Sequence, residues 1–293
     1  MGKGLGVAAA LLSSALGGTA VGATRQLAGS VDPLTLGCLR FAIGAAILLP
    51  MALRSGQAWP AGRDRWPVIT LGMLFFGLFP VLFNAALALT SAARGALALS
   101  TLPLLTMAAA ALLGVERLAA RKCFGVGIAM AGVAAALAAD LSAAPAGAWR
   151  GDLLMAAAAL CMALYNVWSR PFIRRSAVLP YAATGMAAGA LLLLPLSVLG
   201  GAPARLAALS ATDGLAVAYL GVVCGALVFW LWAEALARTT PTRVAVTVCV
   251  NPVSAALFGL VLLDEPVGPA LAAGLAAVAA GIALAGTGGD RAR

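Results

Sequence analysis

Charged residues in this chain fall in short clusters, and the stretches between the clusters carry few polar positions. These stretches run for about 20 residues, which at about 1.5 Å of rise each is what a helix needs to cross about 30 Å of hydrocarbon. The pattern predicts ten such helices, near 5–24, 33–53, 67–90, 95–115, 122–141, 152–173, 178–199, 212–236, 241–263 and 267–286. Runs such as 108–115 and 191–196 are apolar without alternation. A membrane β-barrel would instead alternate apolar and polar residues over strands of roughly ten residues. The expected fold class is therefore all-α: a polytopic membrane protein with ten transmembrane helices.

The polar punctuation repeats. Displaced by 149 residues, 94–138 falls on 243–287 without a gap: Arg94 on Arg243, Pro103 on Pro252, Glu116 on Glu265, Gly125 on Gly274 and Gly132 on Gly281. The only glutamates are Glu116, Glu234 and Glu265, and two of them coincide, so the match does not arise from the abundance of alanine. The same displacement puts Leu71-Gly72 on Leu220-Gly221 and Phe83 on Trp232. A displacement of 145 puts Gly6 on Gly151, Arg25 on Arg170, Gly44 on Gly189 and Pro50 on Pro195. The expectation is two repeats, 1–145 and 146–293, with five helices each. Five is odd, so the second repeat enters the membrane from the opposite face. Inverted repeats of this kind place a substrate site near the midplane between the halves and let the molecule open alternately to either side. Lys3 ahead of an apolar run ending in Val21-Gly22-Ala23 has the outline of a signal peptide. Its counterpart at 152–173 is internal, so the first helix is expected to be retained.

Composition agrees with a bilayer: 63% of residues are hydrophobic and 10% charged, against roughly 45–50% and 25% in soluble domains. The net charge of +9 sits in short segments between apolar spans, which excludes nucleic acid as the expected partner and reports orientation instead. With both termini cytoplasmic, the inner segments hold most of the basic residues, among them Arg54, Arg63, Arg65, Arg117, Arg121, Lys122, Arg174 and Arg175, and the outer ones only Arg25, Arg94, Arg150 and Arg205. That is the positive-inside distribution. The preference for arginine over lysine fits a GC-rich bacterial genome, hence the bacterial inner membrane. Trp59 and Trp66 in the loop 54–66 suit the headgroup layer. There is no histidine, and Cys38, Cys123, Cys161, Cys224 and Cys249 stand singly without CxxC spacing, so no metal site and no cofactor are expected.

Polar side chains inside a span cost free energy unless they face the bundle interior or water. Ser13, Ser14, Thr19, Arg40, Asn84, Thr101, Thr106, Asn166, Glu234, Thr247, Asn251 and Ser254 are the candidates taken from the spans. Arg40, about 10 Å into its helix, either snorkels outward or faces the cavity and forks onto a carboxylate. Asn84 and Asn166 either read an amino or carboxyl group or tie helices together. Glu234 stands four residues before Arg238, the spacing of a helical ion pair. Aromatics make up 6% of the chain yet gather at Phe75, Phe76, Phe79 and Phe83 and again at Phe229, Trp230 and Trp232, either as packing or as a cavity wall. Tyr165, Asn166 and Trp168 form an amphipathic cluster. The substrate cavity is expected to be lined by Arg40, Phe79, Phe83, Asn84, Tyr165, Asn166, Trp168 and Asn251. Pro103 and Pro252, near the middle of their helices, are expected to act as bends for gating. With no histidine and few buried carboxylates, no catalytic set is formed, so an enzyme is not expected.

Gly114-Val115-Glu116-Arg117 followed by Gly125 and Gly132, and the copy Asp264-Glu265-Pro266 with Gly274 and Gly281, resemble the ending of the EamA-type unit of the drug/metabolite transporter superfamily. Arg94-Gly95-Ala96 with Pro103, and Arg243 with Asn251-Pro252, resemble the helix before it. The chain is also similar overall to the YddG-like aromatic amino acid exporters of that superfamily. The resemblance implies a ten-helix exporter of amino acids, aromatic ones included, or of similar small metabolites; a monomer in the lipid bilayer without a cofactor is the expected working form. Efflux of drugs or toxic compounds stays open within the class, and a non-transporting receptor or scaffold outside it.

Overall fold

The computed structural model of the chain describes residues 2–27, 29–89, 95, 98–116, 120–141, 147–207, 209–251 and 254, with the single positions 273, 276, 277, 280, 281 and 284. Among the described residues all regular structure is helical. Helix α1 is Gly2–Leu27 and α2 is Pro33–Arg54. Helix α2 starts where Pro33 has no N–H to lose and Asp32 accepts from Thr35 N at 3.0 Å. Helix α3 continues through Arg65–Gly72, a π-helical turn Met73–Leu78 and Phe79–Leu89. Then come α4 (Leu102–Leu112), α5 (Ala120–Leu141), α6 (Trp149–Arg175) and α7 (Val178–Leu199). After a short helix Ala202–Ala207, α8 continues through Ala211–Gly221, a π-helical turn Val222–Leu227 and Val228–Arg238. Helix α9 is Pro241–Val246, tightening to a 3-10 turn at Thr247–Val250.

Among the described residues, five helical stretches are long and apolar enough to cross a membrane: Pro33–Arg54, Gly62–Leu89, Trp149–Arg175, Val178–Leu199 and Ala211–Arg238. Gly4–Ala20, Leu102–Leu112 and Pro241–Val250 are shorter apolar helices. Most of the two spans expected at 241–263 and 267–286 lies outside the described residues, as do Pro252 and Glu265. The span expected at 95–115 is not one continuous helix. It breaks in a turn at Ser100 and Thr101, where Thr101 N and its hydroxyl both bond to Ala98 O. Pro103 therefore stands in the first turn of α4 instead of mid-helix, where its missing N–H leaves no bond unmade.

The helices of the two sequence halves interleave. Helix α1 runs antiparallel to α8: Ser13 Oγ donates to Val228 O at 2.7 Å, Cys224 Sγ contacts Leu16 O, and the Thr19 and Tyr219 hydroxyls bond further along. Helices α2 and α7 are antiparallel too, with Ser197 Oγ on Thr35 Oγ1 at 3.1 Å and Cys38 Sγ on Ala190 O at 3.9 Å. Helix α3 packs on α6 through Phe75 and Tyr165, whose stacked rings are 4.1 Å apart.

Glycines set how near these helices come. A Cβ on Gly189 would stand 2.5 Å from the Phe76 carbonyl carbon in the α3 π turn, and one on Gly44 3.2 Å from Ala226 N in the α8 π turn. A Cβ on Gly281 would meet Gly125 O at 2.6 Å, so two glycines of the repeated motif lie against each other.

The ends of the bundle are tied by ion pairs. Arg175 forks onto Asp64 at 2.6 and 2.9 Å, and Arg238 reaches Glu234 at 2.7 Å, the helical pair its spacing predicts. Lys122 meets Glu116 at 2.7 Å with both side chains about 5% exposed. The second carboxylate oxygen of Glu116 accepts from Thr242 N at 3.0 Å, capping the start of α9 from the other half of the sequence. All five cysteines are free thiols.

Candidate functional site: a central cavity

A cavity of about 60 Å³ opens where the two halves meet. Helices α1, α2, α3, α6 and α8 and the turn after α9 all contribute to its lining. Its polar groups are Ser13 and Ser14 of α1, Arg40 of α2 and Asn251. Its apolar wall is built chiefly from Phe79, Phe83, Met162, Phe229 and Trp232.

Arg40 is 8% exposed, and its Nε and Nη2 both donate to Cys224 O, at 3.3 and 2.8 Å. Its guanidinium carbon lies 5.4 Å from the centre of the Phe41 ring and 5.5 Å from that of Phe229. Aromatic faces favour a cation there, but among the described residues no carboxylate neutralises it. A buried cation without a counter-charge attracts an anion into the space beside it.

The hydroxyls on α1 are already engaged. Ser13 binds Val228 O, and Ser14 Oγ shares a hydrogen bond with Thr247 Oγ1 at 2.9 Å. Asn251 is different: its Oδ1 is buried with no hydrogen-bond partner among the described residues. Gly17 keeps the edge of that amide open, since a Cβ there would lie 3.7 to 3.8 Å from the Asn251 amide atoms. An unpartnered carbonyl oxygen beside a cavity is an acceptor waiting for a donor. Trp232 is held from behind, its Nε1–H donating to Asn166 Oδ1 at 2.9 Å.

Of the residues predicted from sequence, Arg40, Phe79, Phe83 and Asn251 come together around the cavity, and four do not. Asn84 Nδ2 donates to Pro33 O at 2.9 Å and ties α3 to the start of α2. Tyr165 is buried in the aromatic core, against Phe75, Phe76 and Tyr181. Asn166 stands behind Trp232, and Trp168 is 42% exposed on the outside of α6. The reason is angular. Positions 165, 166 and 168 are close neighbours in sequence but point in different directions around a helix of about 3.6 residues per turn. The sequence choice left out Ser13, Ser14, Met162, Phe229 and Trp232. Trp232 had a usable signal, because it is the repeat partner of Phe83. Met162 had none.

The profile of the EamA-like transporter family matches residues 4–138 and again 149–287. An uncharacterized protein of Pseudomonas aeruginosa is 31% identical over 265 residues, which cover 87% of this chain and 84% of that protein. A Streptantibioticus cattleyicolor protein named "Probable terminal-alkyne amino-acid exporter" is 28% identical over 259 residues, 87% of this chain and 82% of that one. A protein crystal structure superposes with a TM-score of 0.76 at 26% identity, covering 97% of this chain and 96% of that chain.

Proposed function

From the premise that this chain belongs to the EamA-like transporter family, we propose that it is a secondary transporter exporting amino acids, or similar small amphipathic metabolites, across the bacterial inner membrane by alternating access. Its multi-pass, all-helical build and its apolar helices suit that role. The observation that carries the reading is Arg40: a buried guanidinium facing a cavity, with no carboxylate partner among the described residues. A substrate carboxylate would supply the missing charge through bidentate, charge-assisted hydrogen bonds. Asn251 Oδ1, buried with no donor among the described residues, would accept from the substrate ammonium group. The side chain would lie against Phe79, Phe83 and Trp232. A zwitterion with an apolar tail satisfies all three surfaces. The name carried by the Streptantibioticus relative points to the same class.

A cavity of about 60 Å³ holds only a few waters at about 10–15 Å³ each, which favours a short or linear side chain over an indole. The two five-helix repeats, 1–145 and 146–293, would form the two rocking halves around this site. The antiparallel course of the matched helices α2 and α7 supports their inversion. The full reading is ten transmembrane helices, both termini cytoplasmic and one copy of the chain as the working unit, with Pro103, at the break before α4, and Pro252, its match in the repeat, as the gating positions.

The test is flux into proteoliposomes containing the purified protein, with a panel of labelled amino acids of graded side-chain size. Saturable transport that weakens about tenfold or more in Arg40→Gln, most strongly for carboxylate-bearing solutes, is the expected result. Absence of saturable flux across the panel would sink the amino acid reading.

A further inference from the structure

The two π turns are equivalent in position but not in construction. In α3 the turn Met73–Leu78 precedes Pro80, which has no N–H to offer Phe76 O and whose ring crowds that carbonyl. The wide turn there is written into the covalent chain. Displaced by 149 residues, the α8 turn Val222–Leu227 has Phe229 where α3 has Pro80, so nothing covalent demands it. Instead the Val228 N–H goes to Val223 O and Gly225 O. It passes over Cys224 O, the acceptor four residues back that a regular α-helix would use.

Cys224 O is the carbonyl that Arg40 takes with two donors. Gly225 permits the approach, since a Cβ there would stand 2.7 Å from Arg40 O. The position matching Arg40 in the second repeat is Gly185, which has no side chain to hold the α3 turn. One π turn is thus made by a proline, and the other is held by a side chain that also lines the cavity. A bond held by a side chain can be exchanged for a better one. For a buried guanidinium the better partner is a carboxylate, because hydrogen bonds to an ionised acceptor are shorter and roughly twice as strong as those to a neutral carbonyl.

We propose that Arg40 is a latch linking substrate to helix geometry: it holds Cys224 O while the cavity is empty and turns to the substrate carboxylate when the cavity fills. Cys224 O then takes back the Val228 N–H, and the π turn of α8 gives way to regular α-helix. The segment beyond it, which carries Phe229 and Trp232 and is tied to α1 through Ser13, rotates against α1 as it does so. A ligand shifts such an equilibrium only by binding the two states unequally, and the carboxylate provides that inequality. This rests on the carboxylate-substrate reading above.

The Cys224 thiol, buried in the turn, is the reporter. Its alkylation rate is measured in membranes, using a variant in which the other four cysteines are replaced by alanine. A transported amino acid is expected to raise that rate about fivefold, because alkylation follows exposure of the thiol. The same amino acid as its carboxamide is expected to leave the rate unchanged. Arg40→Gln should show the raised rate without any substrate and no response to it. A saturably transported amino acid that leaves the Cys224 rate unchanged overturns the latch, as does an Arg40→Gln protein that alkylates at the resting rate. Loss of the parent reading looks different: no amino acid is transported at all, and the resting rate in Arg40→Gln still decides whether Arg40 holds the turn closed.

Discussion

Trp232 faces the cavity with its indole N–H fixed on Asn166 Oδ1, so an amide that touches no solute sets the angle of a ring that does. Hydrogen bonds between membrane helices contribute about 0.6 kcal/mol on average and up to about 1.7, which corresponds to about 3- to 17-fold in binding. Asn166→Leu should therefore weaken apparent substrate affinity by a factor in that range while the protein still purifies folded, as titrated in a transport assay. Asn251 offers the sharper test. Its buried Oδ1, unpartnered among the described residues, costs stability in the empty protein. Asn251→Leu should hold or raise the melting temperature while weakening amino acid transport about tenfold. Analogues with the carboxylate but no amino group should lose much less. An equal loss for both kinds of solute would separate Asn251 from the ammonium.

At the scale of the element, the two π turns lie where a glycine of the other half presses on them: Gly189 on the α3 turn and Gly44 on the α8 turn. A leucine at Gly189 would drive its Cβ to 2.5 Å from the Phe76 backbone, a contact that only a shift of the helix could relieve. Overpacking of this kind costs about 1–3 kcal/mol or more. Gly189→Leu is expected to lower the melting temperature in detergent by several degrees and to cut transport. Gly214→Ala, at an exposed glycine with nothing within 4 Å, should leave both unchanged. If the two variants behave alike, close glycine packing is not what seats the turns.

For the molecule as a whole, Glu116 is the tie to examine. It joins Lys122 and the first turn of α9 at the end of the bundle where α8 passes into α9, with both charges almost fully out of solvent. Removing one partner of a buried pair leaves the other charge stranded, at a cost of about 3–5 kcal/mol. Glu116→Ala should lose stability of that order in reversible unfolding, and thiol reagents applied from that side should reach the buried Cys249 thiol, in the turn that ends α9, faster. Asp64→Asn is the matching control. It removes the carboxylate from an exposed pair in which Arg175 is 53% exposed, where solvent screens most of the attraction. Little change is expected there.

The membrane-spanning helical build, the family and the internal duplication are legible in the amino-acid sequence without the fold. All three rest on local signals: span length, spacing of apolar residues, and residues recurring at a constant displacement. It also marked Arg40 and Asn251, because a polar group in hydrocarbon must find a partner wherever the helix turns. The tertiary structure alone decided which polar and aromatic residues meet. Asn84, Tyr165, Asn166 and Trp168 are as polar or aromatic as the residues that reach the cavity, but the rotation of α3 and α6 against their neighbours turns them to other helices or outward. The break before Pro103 and the π turn of α8 are also matters of packing: one is a choice between two bonding patterns for the same backbone, the other is held by a side chain 184 residues away. Which of these contacts form depends on distances between helices, and those are set only when the two halves close around each other.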